Sequence, residues 1–256
     1  IKLRTALSNR EREKAESTNS QLLMELAKSN AELEEYAHVV SHDLKSPLRT
    51  IGSFSSLLKR KINTADQQSI FEYIDFINNG VEQMSSVIDD LLLYSTVGHQ
   101  EISIVATDIK SIVNDVANIL LNDPSNKSVI LKGVEQLPNR ILANPIQMKQ
   151  IFQNLLHNAI KYNRSALKQI TIHYKETATH WQFTVVDNGI GIDKEYHEKV
   201  FQLFKRLHTT VEYEGTGIGL AMCKRIVERH RGTITLQSPP NQGTTVQFSI
   251  RKKLEI

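Results

Sequence analysis

The stretch Gln150-Ile151-Phe152-Gln153-Asn154-Leu155-Leu156-His157-Asn158-Ala159-Ile160-Lys161-Tyr162 mixes apolar and polar residues at helical spacing. Asn154, Asn158, Lys161 and Tyr162 follow at steps of four, three and one, so two amides and an ammonium share a face while Leu155, Leu156 and Ile160 point to a core. An amide oxygen can ligate Mg2+, a hard cation, and a lysine can neutralise phosphate. Two asparagines on a helix are ordinarily a solvated face, so the reading depends on what surrounds them.

Downstream, the strand-like run WQFTVVD ends in Asp187-Asn188-Gly189-Ile190-Gly191-Ile192-Asp193. A carboxylate at a strand end accepts from an adenine amino group, and Gly189 and Gly191 let backbone pass close to a flat ring. The same residues also make an ordinary tight turn. Further on, Glu214-Gly215-Thr216-Gly217-Ile218-Gly219-Leu220-Ala221 runs into a helix-like segment. Amides of Gly215, Gly217 and Gly219 at a helix N-terminus form an anion site, although the spacing fits neither the P-loop nor the dinucleotide fingerprint. Three such elements, together and in order, outweigh the solvated-face reading.

Around them the texture is α/β. Short β-like runs, ISIV, SVILKGV, RILA, QITIHY, WQFTVVD, GTITLQS and TTVQFSI, interleave with helical segments at 108–121, 145–163 and 219–231. Neighbours with short connections, such as QITIHY and WQFTVVD, predict a mixed or antiparallel sheet covered by helices on one face.

Upstream the period is that of helix-on-helix packing. Leu22, Leu26, Ser29, Leu33, Tyr36 and Val40 alternate steps of four and three, continued by Leu44, Pro47, Ile51, Phe54 and Leu58. After a polar stretch at 63–66 a second seam runs through Ile70, Ile74, Ile77, Val81, Met84, Ile88, Leu91 and Ser95. Two such helices predict an antiparallel hairpin that pairs with a second copy as a four-helix bundle, the alternative being a hairpin packed on its own C-terminal domain. The expected fold class is therefore α+β: residues 1–31 a coiled-coil signal linker, 32–97 a dimeric helical hairpin, and 98–256 an α/β sandwich with a mixed sheet.

A net charge of only +3 over 256 residues argues against nucleic acid or an anionic membrane as the main partner. The single cysteine, Cys223, excludes an internal disulfide and any multi-thiolate metal site, and suits the cytoplasm. No apolar run approaches the roughly 20 residues of a spanning helix. The first residue is Ile1 rather than Met, so the chain is expected to be a fragment whose upstream part, a sensor domain through which the full protein could attach to a membrane, is missing.

On the first hairpin helix stands Ser41-His42-Asp43-Leu44-Lys45-Ser46-Pro47-Leu48. His42 falls between the seam positions Val40 and Leu44, so its ring should face solvent or a partner, where a neutral imidazole is a competent nucleophile. Asp43 can hold one ring proton and leave the other lone pair free.

Taken together, residues 36 to 251 resemble a sensor histidine kinase whose nucleotide domain is of the kind shared with gyrase-, Hsp90- and MutL-type ATPases. SHDLKSPL is similar to that family's His box, the 150–162 helix to its asparagine box, DNGIGID and EGTGIGLA to its glycine boxes, and FQLFKRL to its phenylalanine box. The resemblance implies ATP and Mg2+, with Asn158 as the metal ligand and Asn154 beside it. It implies that Lys161 and Arg206 meet phosphates, that Tyr162 packs on the base, that Asp187 reads the adenine amino group, and that 193–214 is a lid. It further implies that His42 is phosphorylated and that the phosphoryl group passes to an aspartate of a response regulator. Many members carry Thr or Asn where this chain has Ser46, the residue that places a water for dephosphorylating the regulator. A nucleotide-binding scaffold without transfer and an ATP-hydrolysing clamp are the competing readings. The intact His42 and Asn158 oppose the first, and Asn154, a poor base where clamps carry a glutamate, opposes the second.

Overall fold

The computed structural model describes residues 19–20, 23, 41, 44–62, 67–99, 102–205, 207, 215–239 and 242–252. The chain divides into two compact units, one ending at Met84 and the other beginning at Ser85.

The first unit holds helix α1 (44–61) and the start of helix α2, Gln67–His99. Phe54 stacks on Phe76 with ring centroids 4.4 Å apart and tilts against Tyr73 at 5.8 Å. A Cβ on Gly80 would lie 2.8 Å from Ile51 Cγ1 and 3.3 Å from the Pro47 carbonyl oxygen, so a glycine sets the closest helix approach. Positions 47 and 51 thus meet 80, and 54 meets 76 and 73, which makes the pair an antiparallel hairpin as its seams predict. The seam on α2 is split: Ile70, Ile77 and Met84 are half-buried and Leu91 buried, whereas Ile74, Val81 and Ile88 are 37%, 49% and 42% exposed. One apolar stripe faces inward and its companion outward.

The second unit is an α/β sandwich. Its five-stranded sheet runs β2 (Val129–Lys132), β4 (Lys168–Glu176), β5 (His180–Asp187), β7 (Thr245–Arg251), β6 (Ile234–Gln237). The β2–β4 pair is parallel and the others antiparallel, the mixed sheet expected. Alternation along the strands buries Ile170, Ile172, Phe183, Val185, Val246 and Phe248. Phe152 of helix α4 (Pro145–Lys161) meets Phe183 edge-on at 5.7 Å, and Phe183 stacks on Phe248 at 5.1 Å, so aromatic packing fixes α4 on that face. Helices α3 (Ile109–Leu121) and α5 (Gly219–Arg229) pack beside α4.

A two-stranded sheet, β1 (Val105–Thr107) with β3 (Ile141–Ala143), departs from the expected run at 102–105. The Thr107 hydroxyl donates to the Ala143 carbonyl at 2.9 Å, which anchors the ladder at the later residues; Asp108 then caps α3 by accepting from the Ser111 amide at 2.9 Å. No helix among the described residues is long and apolar enough to cross a membrane.

Candidate active site

Helix α4 begins at a cap, Asn144 Oδ1 accepting from the Gln147 amide at 3.0 Å, with Pro145 in the first turn where its missing N–H costs nothing. Its buried face, Met148, Ile151, Phe152, Leu155, Leu156, Ala159 and Ile160, orients the other. Asn154, Asn158 and Lys161 are thereby presented to a cavity of about 260 Å3. At the far end Lys168 Nζ donates to the Ile160 carbonyl at 3.0 Å, and the chain leaves the helix at Tyr162.

The two glycine loops converge on that helix end. The Tyr162 carbonyl accepts from the Ile190 amide at 3.0 Å, and a Cβ on Gly189 would lie 2.4 Å from the Tyr162 oxygen. On the other side Lys161 Nζ lies 5.0 Å over the Tyr162 ring and 2.7 Å from where a Cβ of Gly215 would be. Gly191 and Gly217 have φ of 73°, and Gly215 has 144°, conformations that favour glycine. A Cβ on Gly219 would sit 3.0 Å from Asn154 Oδ1. Helix α5 starts there without a side-chain cap, so no side chain of the N-cap residue covers its first-turn amides.

Asp187 ends β5 with one carboxylate oxygen already fixed: Oδ1 accepts from the Gly189 amide at 2.8 Å and the Thr244 amide at 3.1 Å. The cavity burial pushes its pKa up, against the pull of those two amides. The adjacent Asn188 is structural. Its Oδ1 accepts from the Asn163 amide at 2.8 Å and the Gln169 backbone at 2.7 Å, and its Nδ2 donates to Leu167 at 3.0 Å.

Asn154, Asn158, Lys161, Tyr162, Asp187, Gly191, Gly215, Gly217 and Gly219 thus line one cavity, with Gly189 packed behind it. Ser46 is exposed on α1, its carbonyl accepting from the Thr50 hydroxyl at 3.4 Å. His42, Asp43 and Arg206 lie outside the described residues, as does most of 206–214.

Residues the sequence reading passed over share the wall. Lys205, next to Arg206, reaches it. Phe204 directs that segment from the left-handed region, φ 60°, its amide donating to the Gly217 carbonyl at 3.0 Å. His157 lines the rim; desolvation against the wall and the nearby Lys161 lower its pKa. Gly243, φ 84°, has no room for a side chain, since a Cβ would fall 1.9 Å from the Asp187 carbonyl. The Ile192 amide donates to Ser238 Oγ at 2.7 Å, fastening the first glycine loop to the end of β6.

Comparison with known proteins accounts for this arrangement. Residues 143–254 match the family described as histidine kinase-, DNA gyrase B- and HSP90-like ATPase, and residues 32–100 match the His Kinase A phospho-acceptor domain. The chain belongs to the histidine kinases. Its C-terminal unit is an ATP-binding module. Over 231 residues it is 40% identical to phytochrome-like protein Cph1 of Synechocystis sp., covering 90% of this chain and 31% of that protein. It is 38% identical to cyanobacterial phytochrome A of Nostoc sp., over 90% of the chain and 30% of the relative. The chain therefore spans about a third of the length of these relatives. Among solved structures, histidine kinase ThkA in complex with response regulator TrrA gives a TM-score of 0.69 at 23% identity, covering 88% of this chain and 64% of that one, a likeness of fold.

Proposed function

We propose that this chain is the output core of a longer sensor kinase: it binds Mg-ATP in the second unit, phosphorylates His42, and passes the phosphoryl group to an aspartate of a response regulator. The observation that carries the reading is the convergence in one cavity of Asn158, Asp187, Lys161 and two glycine loops, in a chain whose hairpin matches a phospho-acceptor domain around SHDLKSPL.

The roles follow from chemistry. Asp187, with Oδ1 held by two amides, offers its other oxygen to the adenine amino group. Tyr162 flanks the base, and the free amides of α5, with Lys161, meet the phosphates. Arg206 joins them in this reading. Asn158 would supply an amide oxygen to Mg2+, with Asn154 beside it on the same wall of the cavity. Among the described residues no His, Cys, Asp and Glu cluster competes for a metal, which suits an ion that keeps phosphate and water oxygens as most of its ligands. Bound magnesium would neutralise charge on the phosphates. A ring nitrogen of His42 forms a bond to the γ-phosphorus, the bond to the β-phosphate oxygen breaks, and ADP leaves; Asp43 holds the proton on the other ring nitrogen. Ser46 is assigned to a separate step, placing the water that hydrolyses the regulator's aspartyl phosphate to free aspartate and inorganic phosphate.

The functional division is 1–31 linker, 32–97 phosphotransfer hairpin and 98–256 ATP-binding domain. The outward stripe of Ile74, Val81 and Ile88 supports pairing of the hairpin with a second copy as a homodimeric four-helix bundle. The neighbour solved with its response regulator supports the receiver-domain partner. A sensor upstream and a cytoplasmic location complete the reading.

The test is incubation with γ-labelled ATP. His42→Gln is expected to abolish acid-labile, base-stable phosphorylation while leaving nucleotide affinity nearly unchanged; phosphorylation that persists in the variant overturns the assignment.

A further inference from the structure

Asp90 projects from the part of α2 that belongs to the second unit, into the wall of the nucleotide cavity. Its Oδ2 accepts from the Thr216 hydroxyl at 2.5 Å. Thr216 sits between Gly215 and Gly217, in the loop whose amides lead into α5, and its Oγ1 in turn accepts from the Ile218 amide at 3.4 Å. A carboxylate is thus tied, through one hydroxyl, to the loop assigned to the phosphates.

The rest of that segment is firmly seated. Val87, Leu91 and Val97 are buried, the Arg225 guanidinium lies 4.3 Å over the Tyr94 ring, and Arg229 Nη1 donates to the Val97 carbonyl. Asp90 is therefore held where it is by its neighbours rather than by its own solvation. Burial raises its pKa and Thr216 opposes that shift, while Asp89 adds to it, as for a carboxylate kept in a place water does not favour. The charge is the wrong sign for a neighbour of triphosphate. It is the right sign for a stand-in, because the glycine loop, the α5 amides and Lys161 all favour an anion.

We propose that the Asp90 carboxylate is an internal competitor of the nucleotide's triphosphate, holding the second glycine loop through Thr216 until ATP displaces it. The proposal rests on the nucleotide reading and adds an antagonism to it. Seating of 85–97 and binding of triphosphate oppose each other, and by linkage each weakens the other by the same factor. Any input that loosens the end of α2 then raises ATP affinity without touching a residue that contacts the base.

The experiment compares binding of Mg-ATP and of adenosine to the chain and to Asp90→Asn, which keeps an acceptor for Thr216 and removes the charge. ATP is expected to bind the variant tighter by about fivefold or more, and adenosine equally. Unchanged ATP affinity, or a parallel change for both ligands, overturns the proposal. Hydrogen exchange of 85–97 in the unmodified chain gives a second readout that needs no variant. Exchange is expected to quicken with saturating Mg-ATP and not with adenosine; exchange that is unchanged or slowed by ATP refutes the displacement. If the unmodified chain binds neither ligand, the nucleotide reading itself falls and the proposal with it, whereas normal binding without the predicted differences sinks the proposal alone.

Discussion

At Gly189 a single added methyl group has nowhere to go, since it would meet the Tyr162 carbonyl at 2.4 Å and Asp187 Oδ1 at 2.8 Å. Backbone on one side and a carboxylate held by two amides on the other can give way only at a cost. Gly189→Ala is therefore expected to cost about 1–3 kcal/mol of stability, read as a lower denaturation midpoint, and to weaken adenosine binding because Asp187 must shift. Asn158→Asp should behave oppositely. Its side chain faces the cavity and contributes little to the core, so the melt should move by less than about 1 kcal/mol while phosphorylation is lost. A large loss of melting temperature would make Asn158 a structural residue. Both glycine loops and the asparagine face were legible in sequence because each is a local spacing on one element. The Asp90–Thr216 bond joins residues 126 apart, and nothing in either local window announces it. Gly243 escaped notice for the same reason: its need for glycine comes from the Asp187 backbone on a neighbouring strand.

Between elements, the buried imidazole of His230 does comparable work. Fully buried just after α5, it donates from Nδ1 to the Ile226 carbonyl at 2.8 Å and accepts at Nε2 from the Asn144 amide at 3.1 Å. One tautomer satisfies both bonds, joining the end of α5 to the start of α4, and only a neutral ring can accept from an amide. Burial lowers its pKa, the Ile226 bond opposes that, and Arg229 adds to the lowering. Because the folded ring binds a proton less readily than an unfolded one at about 6.5, the unfolded chain carries more protons between the two values. Stability is then complete above about pH 6.5 and falls as the pH drops below it. Urea melts of the second unit should show that decline, and His230→Gln should make it shallower; His157, shifted the same way, adds to it. The strands and helices were legible from periodicity, but the bond that locks α5 to α4 was not, because a lone histidine at a helix end signals nothing until its partner strand and helix are placed. The run at 102–105 misled for a related reason: alternation marks a strand's residues, while the ladder's position is set by Thr107 and its partner Ala143.

At the scale of the whole molecule the open stripe on α2 is the surface proposed to meet a second copy. Ile70, Ile77 and Met84 turn inward and Ile74, Val81 and Ile88 outward, each set repeating every seventh residue, as one helix must when it packs against its own hairpin partner and a second copy together. Phe71, one turn before Ile74 on the same helix, is also 54% exposed. The hairpin was legible from its seams, while the division of one seam into two faces was not, since a heptad pattern records that positions are apolar and not which neighbour covers them. Val81, at 49% exposure, tests the arrangement cleanly because a charge there meets water in a single chain and apolar side chains in a bundle. Val81→Glu is expected to raise the dimer dissociation constant by about 100-fold or more, seen as a shift from dimer to monomer by sedimentation at micromolar concentration. Adenosine affinity should not change, because Val81 belongs to the first unit and the cavity lies in the second. A variant that still sediments as a dimer would place the interface elsewhere on the chain, and an unmodified chain that is monomeric at that concentration would remove the bundle from the reading altogether.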